Sequence, residues 1–214
     1  MFNDEELEKV KIKALEDHVP IVMDDSLEVI KQILIDNNPK RILEIGTAVG
    51  YSASQFAKYA KEAIIDTIEL NEQRYNEAKE NIKKIGIEDR INIYLGNAVE
   101  ILPTFEEKYD VFFIDANKGK YPVFLQEAIR LSKKGSIIIA DNILYKGYVM
   151  SDYNHHKQRT AVRHLREYIK ETQENEKLDT KILEVGDGLA ISIVKQYFLT
   201  YKTFCDKMQK VSFI

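Results

Sequence analysis

The chain has 214 residues, 44% of them apolar and 31% charged, with a formal net charge of −4. That length supports one substantial core without requiring a second domain, and the negative balance argues against the whole molecule attracting nucleic acid. The single cysteine, Cys205, rules out an internal disulfide framework and the usual structural zinc sets. The first residues lack the basic start and apolar centre of a signal peptide, and no apolar run approaches the roughly 18 residues of a spanning helix. These features lead to the expectation of a cytoplasmic protein with neither a membrane nor a DNA partner.

Asn3 followed by Glu6 has the pattern of a capping box and predicts an amphipathic helix through about His18, broken by Pro20. Asp24 or Asp25 is placed to cap a second helix. Its Leu27, Ile30, Ile33 and Leu34 recur at helical spacing, and Asn37-Asn38-Pro39 stops it. Strands and helices then alternate: strand 41–45, a helix from Ser52, strand 64–69, helix 71–85 closed by Gly86, strand 91–95, a short helix near 98–102 and strand 111–115. Proline suits the first turn of a helix, so one is expected from about Pro122. Lys133-Lys134-Gly135 is expected to turn the chain into a strand over 136–141.

A loop over 142–154 and a long helix follow. Residues 181–185 and 189–194, joined by Gly186-Asp187-Gly188, read as an antiparallel hairpin. Continuous apolar strands alternating with helices argue for an α/β fold whose parallel sheet is covered on both faces. Residues 1–196 are expected to form one domain, with 1–38 as its N-terminal helices. Residues 197–214 form an extension rich in Tyr and Phe whose role the sequence does not assign.

Two apolar runs end in oxygen ligands. One is Val111-Phe112-Phe113-Ile114-Asp115, with Ala116-Asn117-Lys118 behind it; the other is Ser136-Ile137-Ile138-Ile139-Ala140-Asp141-Asn142. Ligands of open α/β sheets gather outside the carboxyl ends of the strands, so Asp115, Asp141 and Asn142 are expected to converge. Two carboxylates and one amide oxygen form a hard donor set suited to Mg²⁺ or another divalent cation. Lys118 would sit beside that ion as a candidate base, with Asp115 as its catalytic partner.

Arg41-Ile42-Leu43-Glu44-Ile45-Gly46-Thr47-Ala48-Val49-Gly50-Tyr51-Ser52 is a strand running into a glycine turn and a helix. Gly46 and Gly50 let the backbone approach a ligand, and the helix start offers free N–H groups. Glu69 closes the next strand, placed to accept both hydroxyls of a ribose. The spacing Glu44-x-Gly46-x-x-x-Gly50 departs from G-x-G-x-x-G, which favours an adenosine ligand without a pyrophosphate over NAD or FAD. Glu44 would help to hold a cationic group of that ligand through ordered water.

Residues 44–52, Glu69, Gly96-Asn97-Ala98, Asp115-Ala116-Asn117-Lys118 and Asp141-Asn142 together resemble the metal-dependent O-methyltransferases of the catechol and caffeoyl-CoA type. Within that superfamily the chain most resembles the bacterial tRNA 5-hydroxyuridine methyltransferases, and the likeness spans residues 20–195. The resemblance implies S-adenosylmethionine as cofactor and a homodimer. It implies a single Rossmann-like class I methyltransferase domain, with a seven-stranded, mostly parallel sheet, an antiparallel last strand and helices on both faces. Glu69 would hold the ribose, Gly46 and Ser52 would line the methionine end, and Met23 would sit in the segment closing over the cofactor. Asn97 and Ala98 would meet the adenine edge, although many relatives carry Asp where Asn97 stands. Asp115 would touch both the metal and the cofactor's amino group, and Asp141 and Asn142 would complete the metal ligands.

Metal-assisted O-methylation asks for an acceptor with two adjacent oxygens, one deprotonated under the influence of the ion. Catechols and 5-hydroxyuracil both present such a pair. Lys157, Arg159, Arg163 and Arg166 precede the first acid of that stretch, Glu167, and read as a strip able to contact phosphates. With the short 142–157 segment, the strip favours tRNA as partner and 5-hydroxyuridine at the anticodon wobble position as acceptor, giving 5-methoxyuridine. Methylation of small catechol-like or caffeoyl-CoA-like phenols is the alternative. A non-catalytic S-adenosylmethionine-binding protein is a third reading, which the intact metal set argues against. Tyr145, Lys146 and Tyr148 follow the metal ligands, where they would form either a substrate-facing lid or a surface loop.

Overall fold

A computed structural model describes residues 2–152, 156 and 158–195. Five strands, β1 (Arg41–Ile45), β2 (Ile64–Glu69), β3 (Ile91–Leu95), β4 (Tyr109–Ile114) and β5 (Ser132–Ala140), pair in parallel. A closing hairpin adds β6 (Leu178–Leu183) and β7 (Leu189–Val194), and the sheet order is β3-β2-β1-β4-β5-β7-β6. β7 runs antiparallel to both of its neighbours. The chain leaves β1 in one direction for β2 and β3 and in the other for β4 and β5. A crevice therefore opens at the carboxyl ends of β1 and β4, the usual place for a ligand in such sheets.

Helices α1 (Asp4–Glu16), α2 (Asp24–Asn37), α3 (Tyr51–Tyr59) and α4 (Glu72–Ile85) cover one face; α5 (Ala98–Ile101), α6 (Tyr121–Arg130) and α7 (Arg159–Glu174) cover the other. Alternate residues of β5 show how the cover is shared. Ile137 and Ile139 pack in the first core with Leu27, Ile30 and Phe56, whereas Ile138 and Ala140 pack in the second with Phe124, Leu125 and Leu165. Among the described residues no helix is long and apolar enough to cross a membrane. The 197–214 extension, with Cys205, lies outside the described residues.

Most element boundaries match the sequence expectation, and the departures have tertiary causes. Asn3 caps α1 as expected, its side chain accepting from the Glu5 and Glu6 amides at 3.1 and 3.2 Å. Neither Asp24 nor Asp25 caps α2; Met23 stands at that position without a side-chain bond. The Asp25 carboxylate instead accepts from its neighbour Ser26 N at 2.8 Å and from Gly186 N, in the hairpin turn, at 2.7 Å. β5 begins four residues early, because Ser132 pairs with Tyr109 and an irregularity between Tyr109 and Val111 absorbs Lys133-Lys134-Gly135. β6 also begins earlier than the sequence indicates, at Leu178, which pairs with Val194.

Candidate active site

A cavity of about 590 Å³ occupies the crevice, walled by the ends of β1, β2 and β4 and by Pro20, Ile21 and Val22 from the N-terminal segment. Gly46, Ser52, Glu69, Asn97, Ala98, Asp115, Lys118 and Asn142 all line it, which brings most of the sequence-selected residues to one place. Glycine is required at position 46: with φ at +106°, a Cβ there would lie 2.1 Å from the Asp115 carbonyl oxygen. Ala48 adopts φ +47°, a left-handed conformation that costs an alanine about 1 kcal/mol. The Glu69 carboxylate holds it there by accepting from Ala48 N at 2.8 Å, while its other oxygen accepts from Asn71 N at 2.8 Å.

Glu44 lies under this turn, fully buried and outside the cavity wall. It accepts from Ser52 Oγ and Thr67 Oγ1, each at 2.5 Å. Thr67 gives its proton to Glu44, so Thr47 donates to Thr67 across 2.6 Å. Burial, reinforced by the charges of Asp115 and Glu69, pushes the Glu44 carboxyl up to about 7 against the pull of its two hydroxyl donors. With Glu44 ionised, Ser52 lines the cavity with its only proton committed to that carboxylate, so toward a ligand it presents lone pairs.

At the other end of the cavity, the strand ends of β4 and β5 and the turn at 118–120 bring four groups together. Lys118 Nζ donates to Asp115 Oδ1 at 2.9 Å, Asn142 Oδ1 at 3.1 Å and Tyr121 Oη at 2.8 Å. Asp141 is fully buried; one of its carboxylate oxygens accepts from Asn142 N at 2.8 Å, and the other, Oδ2, has no hydrogen-bond partner among the described residues. Burial first, then the Asp115 charge, pushes the Asp141 carboxyl up to about 7. Asn142 is held at φ +55°, which turns its side chain back toward Lys118. One carboxylate and one amide oxygen share one ammonium here, and the orphaned Asp141 oxygen belongs to the same corner. A hard divalent cation satisfies that arrangement, so the residues present fit such an ion.

Other sequence selections fall differently. Met23 is about half exposed and outside the cavity wall, which its neighbours Ile21 and Val22 form instead. The Asn97 side chain caps α5 by accepting from Val99 N at 3.1 Å and donates to Glu100 at 3.0 Å. Lys157 lies outside the described residues. Arg159 is exposed at the first residue of α7, and Arg163 faces Glu167 at 3.6 Å. Arg166 is spent on backbone carbonyls of Tyr148, Val149 and Ser151, so it braces the loop after β5. Sequence reasoning missed Tyr121 and Asp187. Asp187 accepts from Lys146 N at 2.5 Å and raises the Asp141 carboxyl slightly further. The i, i+3 spacing of Lys118 and Tyr121 across a tight turn was the available signal for the first.

The glycine turn, the acid closing β2 and the reversed β7 beside five parallel strands define a Rossmann-like methyltransferase. The O-methyltransferase family model matches residues 3–195, and the chain belongs to that family. It is similar to the catechol O-methyltransferase of Niastella koreensis, 35% identical over 166 residues that cover 73% of this chain and 74% of that protein. Among solved structures it matches a candidate caffeoyl-CoA O-methyltransferase from Staphylococcus aureus at 36% identity and a TM-score of 0.83, covering 88% of this chain and 91% of the other. An O-methyltransferase from Bacillus cereus in complex with S-adenosylhomocysteine matches at 27% identity and a TM-score of 0.80, covering 90% and 92%. The protein is thus an S-adenosylmethionine-dependent O-methyltransferase of the catechol and caffeoyl-CoA type.

Proposed function

We propose that the enzyme methylates one of two adjacent oxygens on a small phenol, with a divalent cation such as Mg²⁺ held by Asp115, Asp141 and Asn142. The observation that carries this reading is Asp141 Oδ2, a buried acidic oxygen without a hydrogen-bond partner among the described residues, in the corner where two oxygens already share one ammonium. The relatives support the acceptor class, since those with the stronger likeness bear the names of catechol and caffeoyl-CoA enzymes.

Glu69, fixed by two backbone amides, would take the ribose hydroxyls of S-adenosylmethionine, and the Asn97-Ala98 turn would meet the adenine. Ser52 would accept from the ammonium of the methionine end, a role suited to a hydroxyl that has already donated its proton. Asp115 would stand between that ammonium and the cation. The bound cofactor supplies the methyl group as an electrophile, and the bound cation supplies charge that stabilises a deprotonated acceptor oxygen. Lys118, tied to Asp115 and Asn142, would as the neutral amine receive the acceptor's proton, or as the ammonium neutralise the oxygen that loses it.

A second reading, 5-hydroxyuridine in tRNA, draws on the exposed Arg159 and on Arg163, which border a separate crevice of about 570 Å³. The deciding experiment incubates the enzyme and labelled cofactor with catechol in one arm and with hydroxyuridine-bearing tRNA in another, each with and without a chelator. Mass spectrometry is expected to find methylated catechol, lost on chelation. Methylated tRNA nucleoside with no methylated catechol would overturn the small-phenol reading, and chelator-resistant turnover would overturn the metal.

A further inference from the structure

We propose that Tyr121 is a positioning residue for methyl transfer, its hydroxyl fixing the Lys118 ammonium at the corner formed by Asp115, Asp141 and Asn142. Tyr121 opens α6 three residues beyond Lys118, and its ring is fully buried, edge-on to Tyr168 with centroids 5.6 Å apart. The core therefore sets where the hydroxyl lies. Its one proton goes to the Asp141 carbonyl at 2.8 Å, with the Ile114 carbonyl at 3.2 Å beside it. These carbonyls belong to the ends of β5 and β4, so the phenol ties together the two strands that deliver the acids. With its proton committed, the oxygen faces Lys118 as an acceptor, and Nζ donates to it at 2.8 Å.

The three protons of the ammonium are all placed: on Asp115, on Asn142 and on Tyr121. The first two partners are the oxygens assigned to the cation. Tyr121 is the one partner with no second duty toward that ion. It thus remains as the tether that keeps a flexible lysine at the acceptor oxygen, where a few tenths of an ångström matter to the rate. The inference rests on the reading of Lys118 as the group acting on that oxygen.

Tyr121→Phe retains the packed ring and deletes only the hydroxyl. With catechol as acceptor, kcat is expected to fall about 10-fold while the KM for S-adenosylmethionine stays unchanged. In a Lys118→Met background the same substitution is expected to alter kcat by less than about 2-fold, because the group it acts through is gone. Metal-free protein labelled with ¹⁵N-lysine gives a readout independent of turnover. A slowly exchanging Lys118 ammonium signal is expected in the parent and is expected to be lost in Tyr121→Phe. Additive losses in the double variant, or an unchanged Lys118 signal, would overturn the role of Tyr121. Full kcat in Lys118→Met alone would overturn the reading of Lys118, and with it this inference, which keeps the two failures apart.

Discussion

Asp141 meets the site with one carboxylate oxygen on the Asn142 amide and the other without a hydrogen-bond partner among the described residues. An acid so deeply buried is a liability unless a cation joins it, which on the proposed reading would tie the residue to metal rather than to the cofactor. Asp141→Ala is therefore expected to lower metal affinity and turnover by on the order of 100-fold or more, while cofactor affinity changes little. Calorimetric titrations with Mg²⁺ and with S-adenosylmethionine separate the two effects. Undiminished metal binding in the variant would remove Asp141 from the ligand set. At this scale much of the site was legible: acids and amides following apolar strands can be placed at the strand ends from sequence alone. Tyr121 was harder to read: its spacing from Lys118 was the one side-chain signal, and its other two partners are backbone carbonyls, which no side-chain pattern advertises.

The turn between β1 and α3 works as a unit, with Glu44 beneath it gathering Ser52 and Thr67. The sequence placed Glu44 near the ligand; the fold puts it under the turn, bonded to Ser52 rather than lining the cavity. Its carboxyl titrates near 7 when folded, against an ordinary 4.5, so the folded state retains a proton that the unfolded chain has already released. The stability this group provides is present below about pH 4.5 and is lost as pH rises through 7, a swing of about 3 kcal/mol. Glu44→Gln removes that dependence. Between pH 5 and pH 8 the variant should gain on the parent by up to that amount, as read from denaturant unfolding at the two values. Parallel unfolding curves across that range would show that Glu44 does not titrate there. The element boundaries that sequence reasoning misplaced have the same origin as this role. Asp25 and Ser132 find their partners in Gly186 and Tyr109, far along the chain, and local propensity carries no trace of either pairing.

Charge patterning along the 155–166 stretch suggested one basic strip, yet the fold divides it. Arg166 turns inward to three carbonyls of the loop after β5, Arg163 faces Glu167, and Arg159 stays exposed. If the acceptor is a small phenol, Arg159→Glu combined with Arg163→Glu should leave catechol turnover within about 2-fold of the parent, as expected of exposed substitutions outside the cavity lining. A matched tRNA-binding titration at two salt concentrations tests the rival. A large loss of affinity with a shallower salt slope would favour RNA.

The closing hairpin connects parts of the molecule that the sheet alone leaves separate. From its 186–188 turn, Gly186 N reaches Asp25 on α2, while the Asp187 and Gly188 carbonyls accept from Leu144 and Ile143 at 2.9 and 3.0 Å. One turn thus grips both the segment leading from Pro20, Ile21 and Val22 and the loop leading from Asn142, which border the cavity from different sides. The backbone donors of Gly186 and Ser26 hold the Asp25 carboxyl below its usual range, so this link stays ionised through neutral and mildly acid pH. Removing it should loosen the wall over the cofactor and leave the chemistry at Lys118 alone. Asp25→Ala is accordingly expected to raise the KM for S-adenosylmethionine several-fold, keep kcat at saturating cofactor, and increase amide exchange at Ile21 and Val22. A variant with unaltered KM and exchange would mean that the apolar packing of Val22 and Leu27 holds this wall without help from the hairpin.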